Sequence, residues 1–144
     1  MNNEICGVGL ILNDGQGRIL VVRELRDKPL ILKEAGMLSF PLETVKEGED
    51  PGETVYRLLQ EEIGIVNITP PTFFGGTYRI VSHAITLACT ARIKGKITGA
   101  PSDGTDTEVV GWMTPEELLK HPCRREVAPI MADYVTLCRE AHLV

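Results

Sequence analysis

Two adjacent acids, Glu61 and Glu62, stand near the end of GMLSFPLETVKEGEDPGETVYRLLQEEIGI, residues 36–65 of the chain. Two carboxylates on one helix face supply hard oxygen ligands for a divalent cation. Mg²⁺ takes few protein carboxylates, keeps several waters and completes its shell with ligand phosphates. A site of that kind neutralises a pyrophosphate, orients it and activates water. Position 58 lies three and four residues before the two acids, so on a helix all three side chains crowd one side. That position holds Leu58 where a third acid would suit the chemistry. Leucine has no lone pair for a cation and no group to accept a proton. The same two glutamates also fit a solvated helix end. At the negative end of the helix dipole their clustering costs something unless an ion or a base offsets it. Arg57 is the candidate base. It precedes Glu61 by four residues, the weaker orientation for a helical ion pair, which leaves a tertiary role open.

Positioning these residues takes a strand, an acidic loop and an amphipathic helix. Asp50-Pro51-Gly52-Glu53 predicts the helix start: Asp50 caps, Pro51 fits the first helical position, and Glu53 follows the cap by three. The helix is expected to continue to residue 63 and stop near Gly64. Val55, Leu59 and Ile63 recur every four residues as its buried stripe. Upstream, CGVGLILND reads as a strand and GQGRILVVREL as its hairpin partner. Residues 38–41 read as a short strand ending at Pro41. Downstream strands are expected at 65–68, 73–78 and 82–93, the last leaving through Lys94-Gly95-Lys96. A polar loop over 99–107 precedes a closing strand at 108–112. Thr114-Pro115-Glu116-Glu117 starts a short helix, and 125–142 form a last helix started or interrupted at Pro129. The expected architecture is a mixed β-sheet with flanking helices, an α+β or α/β/α sandwich. A dinucleotide-binding doubly wound fold is disfavoured, because Gly7-Val8-Gly9 lies inside a strand and no GxGxxG opens a helix.

The length of 144 residues suits one domain spanning 1–144. A formal charge of -5 argues against a broad duplex-DNA face, which depends on neutralising phosphate. It leaves nucleotides and an RNA end open, since a bound metal changes the local sign. Cys6, Cys89, Cys123 and Cys138 lack CxxC spacing and sit in mostly apolar surroundings, so they read as four reduced, buried thiols. The start MNNEICGVG has no basic leader, and no charge-free run reaches about 18 apolar residues. The expectation is a soluble, cytoplasmic protein with no membrane contact.

Residues 43–65 resemble the Nudix box: Gly, five residues, Glu, seven residues, Arg-Glu, an aliphatic, any residue, Glu-Glu, any residue, Gly and an aliphatic. Glu49, Arg57, Glu61, Glu62, Gly64 and Ile65 match, whereas Leu58 stands for the first helix Glu and Glu43 for the leading Gly. Pro41-Leu42-Glu43 replaces the preceding Pro-Gly-Gly. The opening hairpin and EVVGWMTPEEL extend the resemblance over nearly the whole chain. It implies the Nudix fold, Mg²⁺ or Mn²⁺ as cofactor, and a nucleoside diphosphate-linked substrate cleaved at its pyrophosphate, with the RNA end left open by the charge and a homodimer as an assembly. It implies catalytic and metal-binding roles for Glu61 and Glu62, with Glu49, Arg57 and Gly64 as framework. Glu108 is the choice for an acid outside the helix, with a polar edge role as its alternative. Arg23 and Glu43 are candidates for substrate contact; for Arg23 a structural ion pair is the favoured alternative. A rearranged loop is expected at Leu42-Glu43, able to carry Glu43 or Glu47 toward Leu58. Asp103, Asp106, His83 and the aromatic residues Phe73, Phe74, Tyr78 and Trp112 are weaker candidates, and Trp112 reads as packing. The missing third acid and glycines support the alternative, a catalytically inactive Nudix-like domain that binds a nucleotide or regulates.

Overall fold

The computed structural model describes residues 4–103 and 106–141. His142, the expected end of the last helix, and Gly104-Thr105 in the polar loop lie outside them. The chain forms β1 (Ile5–Asn13), β2 (Ile19–Glu24), β3 (Leu38–Ser39), β4 (Leu42–Thr44), α1 (Pro51–Leu58), β5 (Ile65–Ile68), β6 (Thr72–Val81), β7 (Ala84–Thr98), β8 (Thr107–Met113), α2 (Pro115–Leu118) and α3 (Val127–Glu140). A π-helical turn, Leu59–Ile63, follows α1 directly.

Alternation along β1 sorts the core into two layers. Leu10 and Leu12 face Val55, Leu58, Leu59 and Ile63 of the first helix, whereas Ile11 joins Phe40 and the α3 residues Val127, Ile130, Met131 and Tyr134. The sheet is thus covered on both faces, which gives the expected sandwich and explains the nearly unbroken apolar run of β1. Trp112 packs against the α1-side layer. Among the described residues no helix is long and apolar enough to cross a membrane.

The opening hairpin is shallower than expected. β1 and β2 are in register only at Asn13 and Ile19. Beyond that pair β1 runs parallel to β7 and antiparallel to β4, while β2 pairs with β8 and β3. Each strand is buried on both sides and takes separate neighbours, so the hairpin opens into the sheet's interior. Pro41 divides the strand expected at 38–41. β3 pairs with β2 before it and β4 pairs with β1 after it, with the Pro41 carbonyl accepting from Leu10 N at 2.9 Å.

β7 continues past its expected exit, because β5 pairs with that segment: Asn67 opposes Lys94 and Ile65 opposes Thr98. At its other end Ser82 and His83 form the turn from β6, so His83 is an exposed turn residue and not a strand residue. α3 begins at Val127 with Pro129 in its first turn, where a missing N–H breaks no intrahelical bond. The four cysteines are free, but only Cys89 is fully buried; the other three are half-buried.

Candidate functional site

Helix α1 starts as its residues dictate. Asp50 accepts from Glu53 N at 3.0 Å with Pro51 at the first position. Its end is not α-helical. The Gly64 N–H donates to the Leu59 carbonyl at 2.8 Å, a five-residue span. Ser102 N and Asp103 N reach the Gln60 and Glu61 carbonyls at 2.9 Å each, satisfying groups that a helix end leaves over. Gly64 has φ +135, and a Cβ there would stand 3.1 Å from the Thr98 carbonyl, so the exit into β5 requires glycine.

The three positions expected on one side of the helix meet three different surroundings. Leu58 is wholly buried among Val8, Leu10 and Val55. Glu61 turns back to Arg57, whose Nη1 donates to it at 3.1 Å. Glu62 enters a cavity of about 100 Å³ whose walls include Glu24, Lys33, Glu43, Arg124 and Glu126.

Arg57 is a tertiary clamp more than a helical ion pair. Its Nε and Nη2 donate to the two oxygens of Glu49 at 2.9 Å each, and Nη2 also reaches the Thr44 carbonyl. Glu49 further accepts from Thr54 Oγ1 at 2.7 Å. This two-point bond holds the Glu49 carboxyl down at about 2, with Thr54 assisting. Arg57 so ties β4, the acidic loop and the helix end into one unit.

Glu43 lies in β4, opposite Val8 of β1, and its backbone has no positive φ. The Leu42-Glu43 segment is therefore a paired strand and not the rearranged loop expected there. The Glu43 carboxylate is 3.5 Å from Arg57 Nη1 and close enough to Glu61 and Glu62 to act on both. Burial pushes its pKa up, with Glu61 adding and Arg57 opposing. Glu47 is exposed in the loop and does not line the cavity.

Glu62 is the most perturbed acid of the cavity. Only 8% exposed, it keeps one carboxylate oxygen, Oε2, without a hydrogen-bond partner. Burial first, then the charges of Glu43 and Glu24, push its pKa up to about 8, against the pull of Lys33 and Arg124.

The rest of the cavity is a buried charge network that sequence reasoning missed. Lys33 Nζ lies 2.7 Å from Glu24 Oε2, close but off the hydrogen-bonding direction. Arg124 Nη1 donates to Glu24 Oε1 at 3.2 Å and Nη2 to Glu126 Oε2 at 2.8 Å, while its Nε is buried without a partner. Backbone geometry delivers both cations. Leu32 adopts a left-handed conformation, φ 56, immediately before Lys33. Residues 122–124 lie along β3, with Leu38 N bonded to the Pro122 carbonyl and Arg124 N to the Leu38 carbonyl. Glu24 carried a legible signal, since the alternation of β2 that exposes Arg23 buries its neighbour. Lys33 and Arg124 sit in irregular segments whose path no local pattern gives.

Arg23 and Glu108 oppose each other across β2 and β8 and form an exposed ion pair at 2.8 Å. Neither lines the Glu62 cavity. Asp106 does line it and holds Lys28 at 3.3 Å. Phe74 stacks obliquely on Tyr134, and the Tyr78 hydroxyl donates to Asp133, so both aromatics serve the α3 contact.

The fit to a divalent cation is partial. Among the described residues no group of three or more His, Cys, Asp or Glu is disposed to hold a metal. The unpartnered Glu62 oxygen with Glu43 nearby suits a hard cation that takes two carboxylates and fills its shell from water and phosphate. The unpartnered Arg124 Nε and the Lys33 ammonium suit an anion in the same cavity.

Comparison with known proteins agrees with the fold. No curated protein sequence matches the chain. Among solved structures, an ADP compounds hydrolase superposes with a TM-score of 0.75 at 16% identity, covering 97% of this chain and 76% of that one. A MutT NUDIX hydrolase from Burkholderia pseudomallei gives 0.70 at 19% identity, covering 90% and 97%. The E. coli ORF135 protein gives 0.64 at 22%, covering 96% and 93%. At these identities the likeness establishes the fold. The NUDIX domain profile matches residues 5–134, nearly the whole length, and with the helix, clamp and sheet it shows that the chain belongs to the NUDIX domain family.

Proposed function

We propose that the chain is a metal-dependent hydrolase that cleaves the pyrophosphate of a nucleoside diphosphate-linked compound. One observation carries the reading: the buried, unpartnered Glu62 oxygen shares a cavity with the unpartnered Nε of Arg124 and with Lys33. A carboxylate oxygen without a donor and a guanidinium N–H without an acceptor are complementary to a metal diphosphate. Glu62, with Glu43, would hold Mg²⁺ or Mn²⁺, which supplies charge neutralisation and an acidified water when bound. Arg124 and Lys33 bind and orient phosphate oxygens. Arg57, bonded to Glu49, Glu61 and the Thr44 carbonyl, fixes β4 and the helix end that carry Glu43 and Glu62. At neutral pH a Glu62 with a pKa near 8 is largely protonated without a cation, so metal uptake releases a proton. Turnover of a diphosphate panel, including a capped RNA, with Glu62→Gln as background tests the proposal.

A second reading, a binding or regulatory domain without turnover, rests on Leu58. It is fully buried in the core, and of the helix acids Glu61 and Glu62 only Glu62 lines the cavity. Saturable nucleotide binding without turnover is its signature.

A further inference from the structure

A second cavity, about 560 Å³, lies apart from the Glu62 cavity and shares no lining residue with it. Its volume falls within the roughly 300–1,000 Å³ range of small-molecule sites. Tyr134 and Leu137 of α3, with Pro70 and Pro115, give it apolar walls. Part of its lining is polar and fixed: the Asn13 amide donates to Thr90 Oγ1 at 3.3 Å and to the Ala91 carbonyl at 3.1 Å, and Thr90 Oγ1 donates to the Ile11 carbonyl at 2.8 Å.

Two exposed arginines, Arg92 and Arg139, also line this cavity, and neither is within ion-pair distance of an acid among the described residues. Arg92 is seated by the absence of a side chain. A Cβ on Gly15 would stand 2.6 Å from its Nε and Cζ, so the guanidinium lies directly on the β1–β2 turn. Glu116 lines the cavity too, leaving two guanidiniums against one carboxylate.

We propose that this cavity binds a small organic anion, an apolar ring-bearing body with one carboxylate or phosphate. The body lies against Tyr134, Leu137 and Pro70, and the anionic group meets Arg92 and Arg139. Guanidinium suits either oxyanion through paired N–H donors, while the walls select against a bare inorganic ion. The proposal does not depend on hydrolysis at Glu62.

Methyl NMR of the full chain, titrated separately with 2-naphthoate and 2-naphthyl phosphate, tests it. The expected result is saturable shifts at the methyls of Thr72, Ala91, Val135 and Leu137. Arg92→Gln or Arg139→Gln weakens binding by about tenfold. Binding of one anion alone assigns the carboxylate or the phosphate. 2-Naphthol is the uncharged control and 2-naphthylmethylamine the cationic one. Both variants alter exposed side chains, and unchanged core methyl shifts verify their fold. Absence of saturable shifts at these methyls overturns the proposal. So does equal binding of either control, or undiminished binding in both arginine variants.

Discussion

Lys33 and Glu24 form an ion pair 2.7 Å apart whose side chains are 4% and 2% exposed. A buried pair of this kind costs much to desolvate, and removing one member leaves the other charge uncompensated. Lys33→Met is expected to cost about 3 kcal/mol or more in urea unfolding. Arg124, bonded to the other Glu24 oxygen, retains part of the compensation. Glu24→Leu with Lys33→Met should recover much of the loss, and a double-mutant cycle measures the coupling.

Arg57 and Glu49 predict the acid limb of stability. Glu49 has its carboxyl held at about 2, below the ordinary 4.5. Between those values the unfolded chain binds more protons, so this contribution is complete above pH 4.5 and is lost as pH falls toward 2. Arg57→Gln removes the two-point bond, and its acid unfolding midpoint, followed by circular dichroism, should move to higher pH.

Glu62 works in the opposite direction. Its pKa is raised from 4.5 to about 8, so the folded chain binds more protons across that interval and stability falls as pH rises through it. In chelator, Glu62→Gln should be more stable than wild type at pH 8.5, with the difference shrinking toward pH 5. Urea midpoints at several pH values measure this.

Leu58 bears on both stability and chemistry. As a core residue packed with Val8, Leu10 and Val55, it should cost about 2–5 kcal/mol when replaced by Ala. Leu58→Glu, which restores the family's acid, buries a carboxylate there. It should destabilise at least as much at pH 8, and less at pH 5, where that carboxylate is neutral. Thermal melts of both variants at the two pH values decide.

The fold was legible because local signals agreed with global ones. Asp50-Pro51 set the helix start, Gly64 set its end, and the apolar run of β1 read as a strand. The Glu61-Glu62 spacing identified the framework but not where each carboxylate goes, because tertiary partners draw Glu61 to Arg57 and leave Glu62 in the buried cavity. Pro41 marked a strand break without telling that β4 would resume on β1. Lys33 and Arg124 were invisible for a different reason. Their inward course is set by a left-handed Leu32 and by bonding to β3 from 86 residues away, contacts that no local period encodes.

The central claim is that the Glu62 cavity turns over a metal-bound diphosphate. Its most direct measurement is product release from nucleoside diphosphate sugars, dinucleoside polyphosphates and a capped RNA, with Mg²⁺ or Mn²⁺ and with chelator. Wild type and Glu62→Gln are compared in parallel. The account predicts metal-dependent cleavage of at least one compound at the pyrophosphate, reduced about 100-fold or more in Glu62→Gln. Wild-type turnover no faster than that of Glu62→Gln on every compound, with both proteins folded, would contradict it.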